Sequence, residues 1–338
     1  MRAWQITDTF SIDGLKLNSY PDPEPGPGQV AINVKAVSLN FRDLLVVKGL
    51  YTKKLPLPLT ICSDAAGEVA AVGAGVTRVK PGDRVCGIFM PRWLAGQCTD
   101  AASRSALGAF EPGVLADRIV LSEEAVVATP AHLTDTEAAT LPCAAVTAWH
   151  ALVSQGGLKA GDTVLVQGTG GVSIFALQLA KAAGARLVAT TSSDAKAERL
   201  RAMGAAIVVN YTQVPEWDDA VRKSAGLVDQ VIEIGGAGTF NRSLKVVRMG
   251  GYVALIGTRA AIGSSEAPNL TTALMKGVRI QGIFVGSREM FETMNRAIAL
   301  HGLKPVVDRV FALEDAPAAL AYLESGAHFG KVVISNLP

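Results

Sequence analysis

The residues with the clearest chemical meaning form one run, Val164-Leu165-Val166-Gln167-Gly168-Thr169-Gly170-Gly171-Val172-Ser173. A short apolar stretch ends in glycines, and Val172, Ala176, Leu179, Ala180 and Ala183 then recur at helical spacing. A glycine turn between a strand and a helix lets the backbone approach a diphosphate closely. The free N–H groups and dipole of the helix N-terminus then favour the anion. The run reads Gly-x-Gly-x-x-Ser, with Ser173 where the full dinucleotide fingerprint has a third glycine. That position governs how closely helix and strand pack, and serine is only slightly larger than the alanine tolerated there. By itself Gly-x-Gly marks no more than a tight turn; the strand before it and the helix after it give it weight.

The end of the next apolar run selects the nucleotide. An acidic residue there accepts hydrogen bonds from the ribose 2′-OH of NAD. This chain has Ala189-Thr190-Thr191-Ser192-Ser193-Asp194-Ala195-Lys196, with Thr191 at the acidic position. Hydroxyls at Thr191, Ser192 and Ser193, together with Lys196, suit a 2′-phosphate that a carboxylate would repel. NADP(H) is favoured, and Asp194 keeps NAD(H) open. The alternative is that Ser192, Ser193 and Asp194 cap the next helix.

These groups need elements to hold them. From about 158 to 284 the pattern alternates strand and helix: strands at 163–167, 186–191, 206–209, 228–234, 252–256 and 278–284, and a helix at 195–203. Such alternation predicts a doubly wound parallel sheet. Residues 2–127 read instead as short β segments broken by Pro and Gly, at 30–38, 67–73 and 83–89, with a proline-rich connector at 21–28. That half predicts a β-rich barrel or partly open sheet. The Gly-rich stretch 91–113 is a long excursion: a surface loop, a substrate lid or a subunit contact. After 287 a helix at 290–300 precedes further β segments.

Composition narrows the class. The chain has 338 residues, 49% hydrophobic and 18% charged, which predicts two domains with their own cores rather than disorder. Its 32 basic and 30 acidic residues are dispersed, which argues against nucleic-acid binding. No signal-peptide layout or bilayer-length apolar run is present, so a cytoplasmic enzyme with no membrane partner is expected. Cys62, Cys86, Cys98 and Cys143 form no Cys-x-x-Cys pair and are expected to be reduced thiols, mostly buried.

Several segments together resemble the medium-chain dehydrogenase/reductase superfamily, over essentially the whole chain. They are Ser38-Leu39-Asn40-Phe41-Arg42-Asp43, Gly49-Leu50-Tyr51, Ser63-Asp64-Ala65-Ala66-Gly67-Glu68-Val69, Val79-Lys80-Pro81-Gly82-Asp83-Arg84-Val85, Leu141-Pro142-Cys143-Ala144-Ala145-Val146-Thr147-Ala148-Trp149, the glycine turn, and His328-Phe329-Gly330-Lys331-Val332-Val333. The pattern is most similar to the zinc-independent, quinone-oxidoreductase-like branch. The resemblance implies an α/β fold: a GroES-like β-rich catalytic domain (1–126 and 287–338) and a Rossmann dinucleotide-binding domain (127–286), with the active site in the cleft between them. It also implies a homodimer or homotetramer.

Zinc-containing members have a cysteine where Asn40 aligns and a histidine where Ser63 does. Only Cys143 matches a ligand position, and one thiolate cannot hold a metal that takes three or four ligands. No zinc is expected. Without a Lewis acid, hydride transfer is easier to an acceptor that spreads the charge, such as a quinone or an α,β-unsaturated carbonyl. The resemblance implies Tyr51 as proton donor, since enoyl-thioester reductases carry a tyrosine at this distance after Asn-x-x-Asp, and Asn40 as a group orienting the carbonyl or the nicotinamide ribose. Packing of Tyr51 at a turn and a turn-forming Asn40 are the alternatives, and Arg42 with Asp43 is expected to be a structural ion pair.

Gly168, Gly170, Gly171 and Val172 would lie along the pyrophosphate, Lys196 and Tyr211 would hold the adenosine phosphate, and Thr147 would face the nicotinamide. Ile256, Gly257, Phe284, Val285, Ser287 and Arg288 would line its ribose and carboxamide. For Arg288 a surface ion pair is the competing role. The expected activity is NAD(P)H-dependent reduction of an enone, enoyl thioester or quinone. An alcohol or aldehyde dehydrogenase and a nucleotide-binding protein without turnover are the alternatives.

Overall fold

Strands β1 (Arg2–Ile6) and β2 (Leu15–Ser19) pair antiparallel. The prolines at 21–28 then leave only a turn, as chain without backbone donors must. Strand β3 (Gln29–Ser38) is mostly buried, with alternation confined to its middle, where half-exposed Asn33 and Lys35 flank buried Val34. Strand β4 (Leu59–Thr60) takes the free side of β1. Then β5 (Asp64–Val72), β6 (Arg84–Gly87), β7 (Arg118–Ser122) and β8 (Val126–Ala128) build antiparallel ladders onto β3 and one another. The computed structural model describes residues 1–52, 54–257 and 267–335.

The next strands are β9 (Thr163–Gln167), β10 (Arg186–Thr191), β11 (Ile207–Asn210), β12 (Val228–Glu233), β13 (Val247–Leu255) and β14 (Arg279–Gly282). They pair in parallel in the order β11-β10-β9-β12-β13-β14. Counted from β9 this is 3-2-1-4-5-6, the Rossmann order, whose direction reverses between β9 and β12. Helices Gly171–Ala182, Asp194–Ala202, Trp217–Ala225, Phe240–Val246 and Leu270–Lys276 lie on the five crossovers. One apolar cluster holds the sheet to Trp217–Ala225 and Phe240–Val246, with Leu165, Val188, Val231 and Val253 from the strands and Trp217, Val221 and Leu244 from those helices. Strand β13 begins at Val247, ahead of the expected 252, because Val247 already pairs with Val228 across an irregularity in register. No described helix is long and apolar enough to cross a membrane.

After the helix Arg288–Leu300, β15 (Val307–Ala312) and β16 (Lys331–Ser335) return to the first sheet, where β16 pairs antiparallel with β3. The chain thus divides into two units, Met1–Val146 with Val285–Pro338, and Thr147–Phe284. The first division falls later than the expected 126/127. Strand β8 is laddered to β6, and the helix Asp135–Ala138 offers the Ala138 carbonyl to Cys86 Sγ at 3.4 Å, so this segment is tied to the first unit. The last three residues of the expected 287–338 segment, and residues 258–266 of the expected Rossmann domain, lie outside the described residues.

The 91–113 excursion is anchored. Trp93, Ala102, Ser105, Ala106 and Leu107 are buried, and Arg42 donates to the carbonyls of Leu107 (2.6 Å) and Gly108 (3.0 Å).

Candidate active site

At the reversal point of the parallel sheet, β9 ends and Gly168 turns the chain with φ +70°, a conformation that favours glycine. Gly170 sits at the N-cap of the helix Gly171–Ala182 with extended backbone, and no side chain caps that end. A Cβ built on Gly170 meets nothing within 4 Å. No internal crowding therefore demands a glycine there. The open space and uncapped N–H groups suit an approaching diphosphate. Ser173 resolves the departure from the fingerprint: it is buried, and its Oγ donates to the Gln167 carbonyl at 2.6 Å, clasping the helix to the strand it follows.

Two residues that the sequence reading missed brace this point. Gln167, the last residue of β9, donates from Nε2 to Glu233 Oε2 (2.8 Å) and Ser243 Oγ (2.7 Å). Glu233, the last residue of β12, is fully buried and accepts from Gly235 N (2.8 Å), Gly236 N (2.9 Å), Thr239 Oγ1 (2.5 Å) and Ser243 Oγ. A buried carboxylate survives only when its lone pairs are used, and here they tie together the two strand ends that flank the crevice. An acid inside the apolar run Val231-Ile232-Glu233-Ile234 was the signal.

The residues expected at the adenosine end lie at the ends of β10 and β11 and on the helix that follows β10. Thr191 is buried with its Oγ1 unpartnered, and Tyr211 N donates to the Thr191 carbonyl at 2.9 Å. Ser192 is exposed, while Ser193 caps the helix Asp194–Ala202, so the capping role is realised at that residue. Lys196 is half-buried on the first turn of the same helix, and Tyr211 is exposed. Asp194 commits its oxygens to Asn210 Nδ2 (2.8 Å) and Gln213 Nε2 (2.6 Å), bonds that also hold its carboxyl below the usual range.

Ile256, Gly257 and Phe284 line a cavity of about 490 Å³ with Gly236, Leu255 and Ile283, at the carboxyl ends of β12, β13 and β14. Thr147 is buried at the start of the same unit. Val285, Ser287 and Arg288 belong to the other unit. Val285 has φ +50°, and Ser287 caps the helix Arg288–Leu300. Arg288, expected as a cofactor contact or a surface ion pair, makes ion pairs within its own unit. Its Nη1 pairs with the carboxylate of Glu124 and donates to the Glu124 carbonyl (3.0 Å), and its Nε lies 3.6 Å from Glu292.

In the first unit a polar cluster is buried around the start of the helix Phe41–Val47. Asn40 N donates to Asp43 Oδ2 at 2.8 Å, which satisfies a donor at the helix end. Arg42 Nε is 3.7 Å from Asp43 Oδ1, and the guanidinium lies 4.6 Å from the Phe89 ring centroid and 5.7 Å from that of Tyr51. Burial pushes the Asp43 carboxyl up to about 6, against the pull of Arg42. Tyr51 follows the helix, its N–H bonded to the Leu45 carbonyl, and its ring meets Phe110 at 6.3 Å. Burial raises its phenol above the ordinary value, Arg42 opposing. The hydroxyl carries no hydrogen bond to a described residue.

Asp64 is fully buried and accepts from Ser63 Oγ (2.7 Å) and Cys143 N (2.9 Å); burial raises its pKa while the nearby Lys331 opposes. Lys331, whose role the sequence reading missed, is 3% exposed in β16 and donates to the Leu39 carbonyl and to Asn40 Oδ1, each at 2.6 Å. A lysine beside the valines of that closing strand was its signal, because a buried ammonium must be paired.

Asn40, Ser63 and Cys143 stand at the positions where zinc-containing members carry ligands. Asn40 offers an amide whose oxygen already faces an ammonium, Ser63 a hydroxyl that donates to Asp64, and Cys143 a thiol that burial pushes well above its usual pKa. Among the described residues no cluster of three His, Cys, Asp or Glu could hold an ion. The dinucleotide fares differently: the cradle at Gly168–Gly170 has the space and the free N–H groups it needs.

Fold and site together define a dinucleotide-dependent oxidoreductase scaffold. Residues 26–131 match the alcohol dehydrogenase GroES-like domain, and residues 171–299 the zinc-binding dehydrogenase domain. A zinc-type alcohol dehydrogenase-like protein of Schizosaccharomyces pombe is 42% identical, covering 96% of this chain and 95% of its own. Acryloyl-coenzyme A reductase of Metallosphaera sedula is 30% identical over 96% of this chain and 97% of its own. Among solved structures, an NAD-dependent alcohol dehydrogenase superposes with a TM-score of 0.90 at 35% identity, covering 99% of each chain. The 2-octenoyl-CoA carboxylase reductase CinF, solved with NADP and 2-octenoyl-CoA, gives 0.87 at 26% identity over 99% of this chain and 87% of its own.

The chain belongs to the medium-chain dehydrogenase/reductase superfamily. It is an NAD(P)-dependent oxidoreductase that acts on small molecules.

Proposed function

We propose that the protein is a zinc-independent, NADPH-preferring reductase of a conjugated double bond, in an enone or enoyl thioester, or of a quinone. The observation that carries the reading is Tyr51. Its hydroxyl is held protonated by burial and is free of described protein partners. Such a group can deliver a proton at neutral pH. When bound, the reduced nicotinamide supplies a hydride.

Gly168, Gly170, Gly171 and Val172 hold the diphosphate with backbone N–H groups. Thr191, Ser192, Lys196 and Tyr211 take the adenosine phosphate, with Ser193 fixing the helix that carries Lys196. Thr147, Ile256, Gly257 and Phe284 bound the nicotinamide end, with Val285 and Ser287 following in chain. The commitment of Asp194 to Asn210 and Gln213, with Thr191 in place of an acid, supports NADPH over NADH. Asn40 donates to the substrate carbonyl, where charge gathers as the β-carbon is reduced, and Tyr51 returns the proton. Two named relatives support the conjugated substrate class: one reduces acryloyl-CoA, and the other was solved with 2-octenoyl-CoA. The exposed edge strand β14 supports a homodimer.

The test offers purified protein NADPH or NADH with enones, enoyl thioesters, quinones and aldehydes, with and without a chelator. Consumption of NADPH with conjugated acceptors, indifferent to chelation, is expected. Turnover confined to aldehydes and abolished by chelation would replace the reading with a metal alcohol dehydrogenase. Tight nucleotide binding with no turnover on any acceptor would leave a binding protein.

A further inference from the structure

Lys331 enters the site without touching any group that the chemistry above requires, except one. Its two hydrogen-bond partners are the Leu39 carbonyl and Asn40 Oδ1, both on the short stretch that launches the helix Phe41–Val47. An ammonium only donates, so the Asn40 oxygen must face Lys331 and the amide NH₂ must turn away from it. The NH₂ group so placed is buried and makes no well-formed hydrogen bond with the protein. It also faces Asp64 and lends that carboxylate a weak donor beside the bonds from Ser63 Oγ and Cys143 N, so one N–H of the pair remains for a ligand. A buried donor left over in this way is costly unless a ligand completes it.

We propose that Lys331 is a positioning residue for the reaction. It locks the Asn40 carboxamide with Nδ2 presented to the substrate's carbonyl oxygen, and its fixed positive charge polarises that amide from behind. The inference rests on the reductase reading above and assigns the means by which Asn40 works. A chain of ammonium, amide oxygen, amide N–H and substrate oxygen strengthens along its length, because each bond polarises the next in a low-dielectric site. As hydride adds to the β-carbon and negative charge moves onto the oxygen, the last bond tightens most. No proton leaves Lys331. The ammonium acts through the amide at the place where other dehydrogenases would have a metal ligand.

The test compares Lys331→Met, Lys331→Gln, Asn40→Ala and the double variant Lys331→Met/Asn40→Ala with the full-length wild type, using an enone and NADPH. Lys331→Met should lower kcat about 10- to 100-fold, below the loss for removing a donor outright, with NADPH affinity within about twofold. The double variant should be no slower than Asn40→Ala. Lys331→Gln, a neutral donor, should fall between wild type and Lys331→Met. Should Lys331→Met fail to fold, a kcat for Lys331→Gln equal to wild type would overturn the proposal. So would an unchanged kcat in Lys331→Met, or losses that multiply in the double variant.

A second readout separates this inference from the functional one. In protein labelled with ¹⁵N-asparagine, the Asn40 side-chain pair, assigned by its loss in Asn40→Ala, should exchange slowly and shift when Lys331 is replaced. An Asn40 pair identical in wild type and Lys331→Gln would sink the positioning role whatever the enzyme reduces. A wild type inactive on every conjugated acceptor would sink the reductase reading while leaving that spectrum to be judged.

Discussion

Tyr51 and Asp43 share one buried neighbourhood and respond to it in the same direction, because burial disfavours the charged form of both. For Tyr51 the consequence bears on the proposed proton-donor role. Tyr51→Phe keeps the ring against Phe110 and removes only the donor, so enone reduction should lose about 10²-fold or more in kcat while NADPH affinity stays constant. Undiminished reduction would take the proton-donor role from this residue. For Asp43 the consequence is a pH-dependent stability. Its folded pKa of about 6 lies above the unfolded value of 3.8, so the folded state holds the proton more tightly. The stability this contributes is complete below the unfolded pKa and is lost as pH rises through 6. Relative to Asp43→Asn, wild type should lose about 2–3 kcal/mol of unfolding free energy between about pH 4 and pH 7. Parallel stability curves for the two proteins would contradict the assignment.

At the glycine turn, nothing in the fold itself requires Gly170 to lack a side chain. Gly170 has extended backbone that alanine adopts without strain, and its Cβ direction is empty. Gly170→Ala should therefore fold as well as wild type, or be a few tenths of a kcal/mol more stable, since alanine restricts the unfolded chain. Its NADPH affinity should nonetheless fall at least about tenfold, because the methyl fills the space the diphosphate needs. Unchanged affinity in a dye-free fluorescence titration would place the nucleotide elsewhere. The element itself was legible from the run 163–173, since strand, glycine turn and helix each leave a local signature. Ser173 was legible only as a departure. That its hydroxyl replaces close packing with a bond to Gln167 depends on where the helix lies.

At the scale of the whole molecule the parallel sheet ends in β14, all of whose residues are exposed and whose outer side has no partner among the described residues. Beside it in sequence, Leu270, Leu274 and Met275 are each at least 70% exposed. An open, partly apolar edge invites a second strand. The proposed homodimer forms there, and light scattering should give twice the 35.2 kDa chain mass. Ile280→Lys, which places a charge on that edge, should shift the equilibrium to monomer at micromolar concentration. A wild type already monomeric would remove this edge as the interface.

Sequence by itself determined the parallel sheet, its dinucleotide turn, the β-rich character of the first 127 residues and the family. Each rests on periodicity, on glycine chemistry or on a motif confined to a few neighbouring residues. Tertiary structure alone decided what Arg288, Asp194, Gln167, Glu233 and Lys331 do, because a charged side chain takes its role from the partner it meets. Those partners are Glu124, Asn210 with Gln213, each other, and Asn40. A strand that pairs residues 38 and 333 sets Lys331 against Asn40, and no local pattern encodes that meeting.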